Sequence, residues 1–359
     1  MDNTIFKSTI LEIYPSYMKK AILKQVVDDG LVINNRKKTE QLTLNFTDSI
    51  DVTEYETIDE KMEHILGSEE ILSFMEEYEY KKAYRHFCFF KYNNISLEKI
   101  EELVEAKAIN VFDKREKKPI DEFDKPTINI MGEQIYFKFS SKLRDVTGKE
   151  IKYVVLAIVD KENEIVEFRF DRVGIAYKNS YTYYREVISE KLEYLQSNID
   201  LAVENIDFKA VVDYMKDEKE DITIYAQRMT RNGTTAYLEA YDEESIMPIL
   251  GELSTFIDEN RDLFSKNEYT KEIEKKLKEF TKEIEVKSDM PMVKIRLDNW
   301  GIKLGITHNY KDTDYSLFML YGELSGEKEM MSNVKGYLMQ CYREFNSAIS
   351  ADTLPTEEV

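Results

Sequence analysis

Between Ile128 and Glu204 the apolar positions first alternate with polar ones and then recur at helical spacing, which predicts a run of strands handing over to one long helix. Ile135, Phe137 and Phe139 alternate with Gln134, Tyr136 and Lys138, the pattern of a half-buried strand. Ile151 to Val159 is apolar on both faces, as a central strand covered from both sides requires. Beyond the turn Asp160-Lys161-Glu162-Asn163, Val166, Phe168 and Phe170 share one face, and Glu167, Arg169 and Asp171 share the other. Connections this short join antiparallel neighbours. In the following helix Tyr184, Ile188, Leu192, Leu195 and Ile199 form the stripe that must lie on the sheet.

The same order returns at Met292 to Ile349: VKIRLDN, GIKLGITHN and DYSLFMLYGEL read as strands, then a helix buries Met331, Val334, Leu338, Cys341, Phe345 and Ile349. Between the two runs lie a helix at Phe208 to Lys216 and a hairpin, ITIYAQRMT and TAYLEAY, joined at Asn232-Gly233. Asn-Gly suits the type I′ turn, which needs positive φ at both central residues. That register sets Arg228 opposite Tyr237, Ala226 opposite Glu239 and Ile224 opposite Tyr241, and makes Tyr225, Met229, Ala236, Leu238 and Ala240 the core face. Ser245 to Phe264 reads as an amphipathic helix. Asn267 to Lys287 reads as a charged helix with only Ile273, Leu277, Phe280 and Ile284 apolar, exposed on three sides or supporting another chain.

Upstream, Ser16 is expected to cap a helix carrying Met18, Ile22 and Val26, and Gly30 ends it. LVINN and QLTLNF then flank a basic tip that includes Arg36, Lys37 and Lys38, a second expected hairpin. HFCFFKYNN is strand-like, Ser96 opens another helix, and DKREKKPIDEFDKP reads as a linker. The fold class expected is α+β, with antiparallel sheets each covered by long helices and a smaller, mostly helical N-terminal unit. Its divisions are residues 1–112, 127–264 and 265–350, with a loose tail at 351–359.

Charge modifies this picture in one place. The chain carries 70 acids against 50 bases in 359 residues, a net charge of −20. From Asp48 to Tyr80, twelve acids face the single base Lys61, interleaved with Ile58, Met62, Ile65, Ile71, Leu72 and Met75. That pattern predicts amphipathic helices with an acidic, solvated face, or a docking surface for a basic partner. A chain this acidic has no basic overall surface to hold phosphates, so contact with nucleic acid has to use a local patch. The N-terminus shows no export signal and the longest apolar run, Tyr153 to Val159, is far short of a membrane span. With Cys88 and Cys341 in apolar surroundings, free buried thiols and a cytoplasmic location are expected, and the Lys, Glu, Ile, Asn and Tyr usage suggests a low-GC bacterium or its phage.

Chemistry is sparse. His64, His86 and His308 lie in different stretches, so no Cys/His metal spacing exists and no cofactor is expected. Gly148-Lys149 is not preceded by the glycine that a P-loop requires, and no G-x-G-x-x-G or G-x-S-x-G occurs. Glu150-Ile151-Lys152 has the E-x-K spacing of metal-dependent nucleases, though Glu285-Val286-Lys287 and Glu105-Ala106-Lys107 share it. Arg228, Tyr237 and Tyr241 on one hairpin face, with Arg231 at its tip, suit stacking on a base or gripping a phosphate. The functional expectation is therefore a non-catalytic accessory or adaptor protein of a bacterial or phage complex, acting through protein surfaces, with phage defence or counter-defence as its setting. A protein partner or self-association is expected. The alternatives are a nucleic-acid-binding module using Arg228, Arg231, Tyr237, Tyr241, Arg36, Lys37 and Lys38, or a nuclease built on Glu150.

Overall fold

The computed structural model describes residues 4–34, 49–113, 123–240, 250–322 and 327–352. The chain forms two compact units, Met1–Ile206 with Gly322–Gln340, and Asp207–Tyr321 with Cys341–Val359. Both are α+β, and the strand pairing among the described residues is mostly antiparallel, with short parallel pairs at Val32–Ile33 with Ile50–Asp51 and at Asn110–Val111 with Thr127–Ile128.

In the first unit, α1 (Thr4–Ile13), α2 (Ser16–Asp28), β1 (Val32–Ile33), β2 (Ile50–Asp51), α3 (Ile58–Ile65) and α4 (Glu69–Lys81) precede the main sheet. α2 begins after Pro15, whose fixed φ of −59° prepares the first turn; Ser16 lies inside the helix and makes no cap, contrary to expectation. α3 instead opens with a full capping box, in which Thr57 accepts from the Glu60 N–H and Glu60 reaches back to the Thr57 N–H. Ile10, Ile22, Val26, Met62, Ile65 and Met75 fill a core among these helices.

The main sheet of this unit uses β3 (His86–Asn94), β4 (Asn110–Val111), β5 (Thr127–Met131), β6 (Gln134–Arg144), β7 (Glu150–Asp160) and β8 (Ile165–Phe170). Their order is β3-β8-β7-β6-β5-β4. Between β3 and β4 lies α5 (Leu97–Glu105), capped by Ser96, which accepts from the Lys99 N–H. α6 (Tyr183–Ile199) and β9 (Ala202–Asn205), which pairs with β3, complete this part of the chain.

β7 is buried along its whole length after Glu150. One of its faces meets α6, whose Tyr184, Ile188, Leu195 and Ile199 are buried: Tyr153 of β7 lies 6.1 Å from Tyr183, and Phe170 of β8 lies tilted 5.2 Å from Tyr184. The other face carries Lys152, Val154, Leu156 and Ile158, with Tyr136 and Lys138 on β6 and Glu167 and Arg169 on β8 beside them in register. β8 ends opposite Val155, which leaves the Lys152 N–H beyond its reach; the Thr9 hydroxyl of α1 accepts it at 2.8 Å.

In the second unit, α7 (Phe208–Glu218) starts at Asp207, whose carboxylate accepts from the N–H groups of Lys209 and Ala210. β10 (Ile222–Arg231) and β11 (Thr234–Glu239) form the hairpin, with φ of 51° at Asn232 and 75° at Gly233. α8 (Leu250–Glu259), α9 (Arg261–Phe264) and α10 (Glu268–Lys287) follow, then β12 (Asp289–Leu297), β13 (Ile302–Thr307) and β14 (Leu317–Leu320). The sheet order in this unit is β11-β10-β12-β13-β14. Val293, Ile295, Leu304, Ile306, Phe318 and Leu320 are buried on one face, with Phe208 of α7 edge-on to Phe318 at 4.9 Å. α11 (Glu327–Asp352) closes the chain.

Candidate functional site

On the opposite face of the second unit's sheet Lys294, Arg296 and Tyr225 are half-buried and Lys303 and Tyr237 exposed, and that face carries the chemistry. Lys294 on β12 lies opposite Gly305 on β13 and Ala226 on β10, and Ala226 in turn opposite Glu239 on β11. The Lys294 ammonium sits 5.0 Å from the ring centroid of Tyr321, 5.4 Å from Tyr237 and 5.9 Å from Tyr225, and pairs with Glu239 at 2.9 Å. Tyr237 donates to the other Glu239 oxygen at 2.7 Å. Lys303 adds a second ammonium 5.5 Å from the Tyr225 ring. Burial opposes charge on Lys294, but the Tyr237 and Glu239 contacts outweigh it and hold the ammonium above its ordinary range. Burial pushes the Tyr225 phenol up to about 12, so it stays neutral and keeps an intact aromatic face.

Two local features build this cluster. A bulge in β10 between Ile224 and Ala226 opposes two residues to one on β12 and turns Tyr225 towards Lys294 and Lys303. Tyr225 is thus removed from the core face that simple alternation assigns it. The second feature is Gly305, where a Cβ would stand 2.7 Å from Cε2 of Tyr321. Only a glycine lets that ring lie against the strand backbone.

Arg228 and Tyr237 are cross-strand partners, as the Asn-Gly register requires, and both are exposed. Arg228 has no ion-pair partner among the described residues, whereas Arg231 lies 3.9 Å from Glu283 of α10. Arg296, on the same face as Lys294, is held by Asp298 at 2.6 Å. Tyr241, Arg36, Lys37 and Lys38 lie outside the described residues, as do most of the second expected hairpin and the linker. Lys294, Lys303, Tyr225 and Tyr321 escaped the reading of the hairpin alone. The signal was present in VKIRLDN and GIKLGITHN, whose polar positions alternate with apolar ones and so must share the sheet's other face.

The E-x-K stretch has a different fate. Glu150 is held by Arg144 across the strand pair, with Nε at 3.0 Å, and the same guanidinium keeps its carboxyl below the usual range. Lys152 is buried and its ammonium is committed to Glu79 at 3.0 Å. Lys138 joins Glu79 at 2.9 Å and also contacts Glu76, so two lysines from the sheet and two glutamates from α4 form a closed, buried set of charges. The expected acidic face of α4 is therefore split, because Glu76 and Glu79 turn inward to neutralise those lysines. Glu167 and Arg169, expected on a polar strand face, are likewise buried and make a two-point pair at 2.6 and 2.7 Å.

Among the described residues, no three His, Cys, Asp or Glu side chains gather as a metal site. No described helix is long and apolar enough to cross a membrane. No family model, curated protein or solved structure matches this chain.

Proposed function

We propose that this chain is a non-catalytic accessory protein that binds single-stranded nucleic acid on the open sheet face of its second unit. The observation that carries this reading is the ring of Tyr225, Tyr237 and Tyr321 around Lys294, with Lys303 and Arg228 on the same face. Aromatic faces accept unstacked bases regardless of sequence, and the adjoining cations meet the phosphates between them. The overall charge of −20 repels a polyanion elsewhere, which confines binding to such a patch.

Fluorescence anisotropy with a labelled single-stranded oligonucleotide tests this. Tyr237→Ala should weaken binding about fivefold to a hundredfold, the cost of one lost stacking contact. With about three phosphates neutralised, log K should fall against log salt with a slope of about −2, and Arg228→Ala should flatten that slope. Equal affinity for duplex and single strand, or none at low salt, would sink the proposal.

An adaptor role has separate support from α8, α9 and α10. Phe256 and Leu263, seven residues apart, are 53% and 52% exposed, and Ile273 and Phe280, again seven apart, are 52% and 53% exposed. The exposed pair Ile273 and Phe280 on one continuous helix, flanked by the Glu–Lys pairs of α10, suits an amphipathic partner helix with complementary charges. Ile273→Asp with Phe280→Asp should abolish a complex seen by light scattering after co-expression with genomic neighbours. A wild-type chain that runs only as a dimer would make the occupant a second copy. The buried free thiols Cys88 and Cys341 favour a reducing, cytoplasmic setting, which cell fractionation tests.

A further inference from the structure

The second unit contains a cleft of about 870 Å³ between α7, α8, α10 and the start of β12. Its lining includes buried Ile257 and Met290, with Thr281 and Ser288 beside them. Ser288 is 8% exposed, and its hydroxyl has no hydrogen-bond partner among the described residues. Lys209, Lys216, Lys278 and Lys282 also line the cleft. Of these, Lys282 has no carboxylate partner among the described residues, while Lys209, Lys216 and Lys278 pair with Asp289, Asp213 and Glu274. Asp213, Asp217 and Asp258 also line the cleft and supply acceptors, with Asp258 held by Arg261 at 2.8 Å.

A polar hydroxyl buried without a partner costs stability unless something else satisfies it, and the wall where Lys282 stands beside Lys278 without a described carboxylate of its own favours an anionic group there. We propose that this cleft binds a nucleoside monophosphate, with the phosphate on Lys278 and Lys282, the base over Ile257 and Met290, and the sugar hydroxyls donating to Asp213 or Asp258. Ser288 contributes the hydrogen bond that its hydroxyl does not make to any described residue. Apolar surface at Ile257 and Met290, carboxylate acceptors for hydroxyls and the adjacent lysines Lys278 and Lys282 in one cavity match the three parts of such a molecule. A cavity for a bare anion would need neither the apolar floor nor the carboxylates. This inference does not depend on the nucleic-acid reading of the sheet face.

Isothermal titration calorimetry on the full chain, with each of the four common ribonucleoside monophosphates and with inorganic phosphate, decides it. At least one monophosphate should bind saturably and more tightly than phosphate. Lys282→Ala should weaken it about tenfold, as the loss of one charge-assisted contact does. Ser288→Ala should weaken it severalfold, and Tyr237→Ala on the sheet face should leave it unchanged. If phosphate binds as well as every nucleotide and Ser288→Ala has no effect, the cleft holds an adventitious ion only and the proposal fails. Absence of any binding overturns it equally. If a 5′-phosphorylated oligonucleotide binds in a way that Ser288→Ala weakens and no free monophosphate binds, the site belongs to nucleic acid ends and the small-ligand assignment falls.

Discussion

Glu79 shows how little a residue's type says about its surroundings. Burial alone would raise its carboxyl, but the ammonium groups of Lys138 and Lys152 outweigh burial and hold it at about 2. A carboxyl depressed on folding contributes its full stabilisation above its unfolded value of about 4.3 and loses it as the pH falls towards 2. Glu79→Gln should cost about 3–5 kcal/mol in denaturant unfolding, because two buried lysines are left with Glu76 alone. Lys138→Met combined with Glu76→Leu should cost less, since Glu79 and Lys152 remain paired. Equal losses for the two variants would show that the charges are not coupled. His308 offers an independent check in the second unit. Burial, aided by the charge of Lys209, lowers it to about 4 against weaker opposition from Asp207 and Asp289, and its Nδ1 is 2.9 Å from the Ser316 hydroxyl. The unfolded chain binds a proton to this imidazole near 6.5, so stability should fall as pH drops from about 6.5 to 4. His308→Gln should flatten the unfolding midpoint across that window.

Elements followed their sequence signals where the signal was local. The Asn232-Gly233 turn, the Ser96 cap and the α6 stripe form as the chain predicts, since each depends on residues within a few positions of one another. β10 departs from simple alternation because its bulge depends on how it pairs with β12, more than sixty residues later. Gly305 belongs to this scale too: in β13 it reads as a weak strand residue, and only the Tyr321 ring explains it. Gly305→Ala should displace that ring and loosen the tyrosine cluster at Lys294. The prediction is a change in tyrosine fluorescence and weaker oligonucleotide binding, with the secondary structure by circular dichroism unchanged. In α3, Thr57→Ala should cost about 1 kcal/mol by removing one half of its capping box, measurable by chemical denaturation.

At the scale of the whole molecule, strand-and-helix order was legible in the sequence, and the α+β class with antiparallel pairing came with it. β3, read within the N-terminal stretch, pairs with β8, and that partnership could not be read from HFCFFKYNN itself. The candidate site divides in the same way. Arg228 opposite Tyr237 was fixed by a two-residue turn, so it could be read from one hairpin. Lys294, Lys303 and Tyr321 join them through strands far along the chain, and their meeting needed the sheet order β11-β10-β12-β13-β14. By itself, then, the sequence determined periodicity, turns, caps and net charge, because these act over a few residues or over none. Tertiary structure alone decided which polar residues are sequestered and which are presented. Glu76, Glu79 and Lys152 look no different from surface acids and bases until α4 closes on the sheet, and low dielectric surroundings then make pairing obligatory.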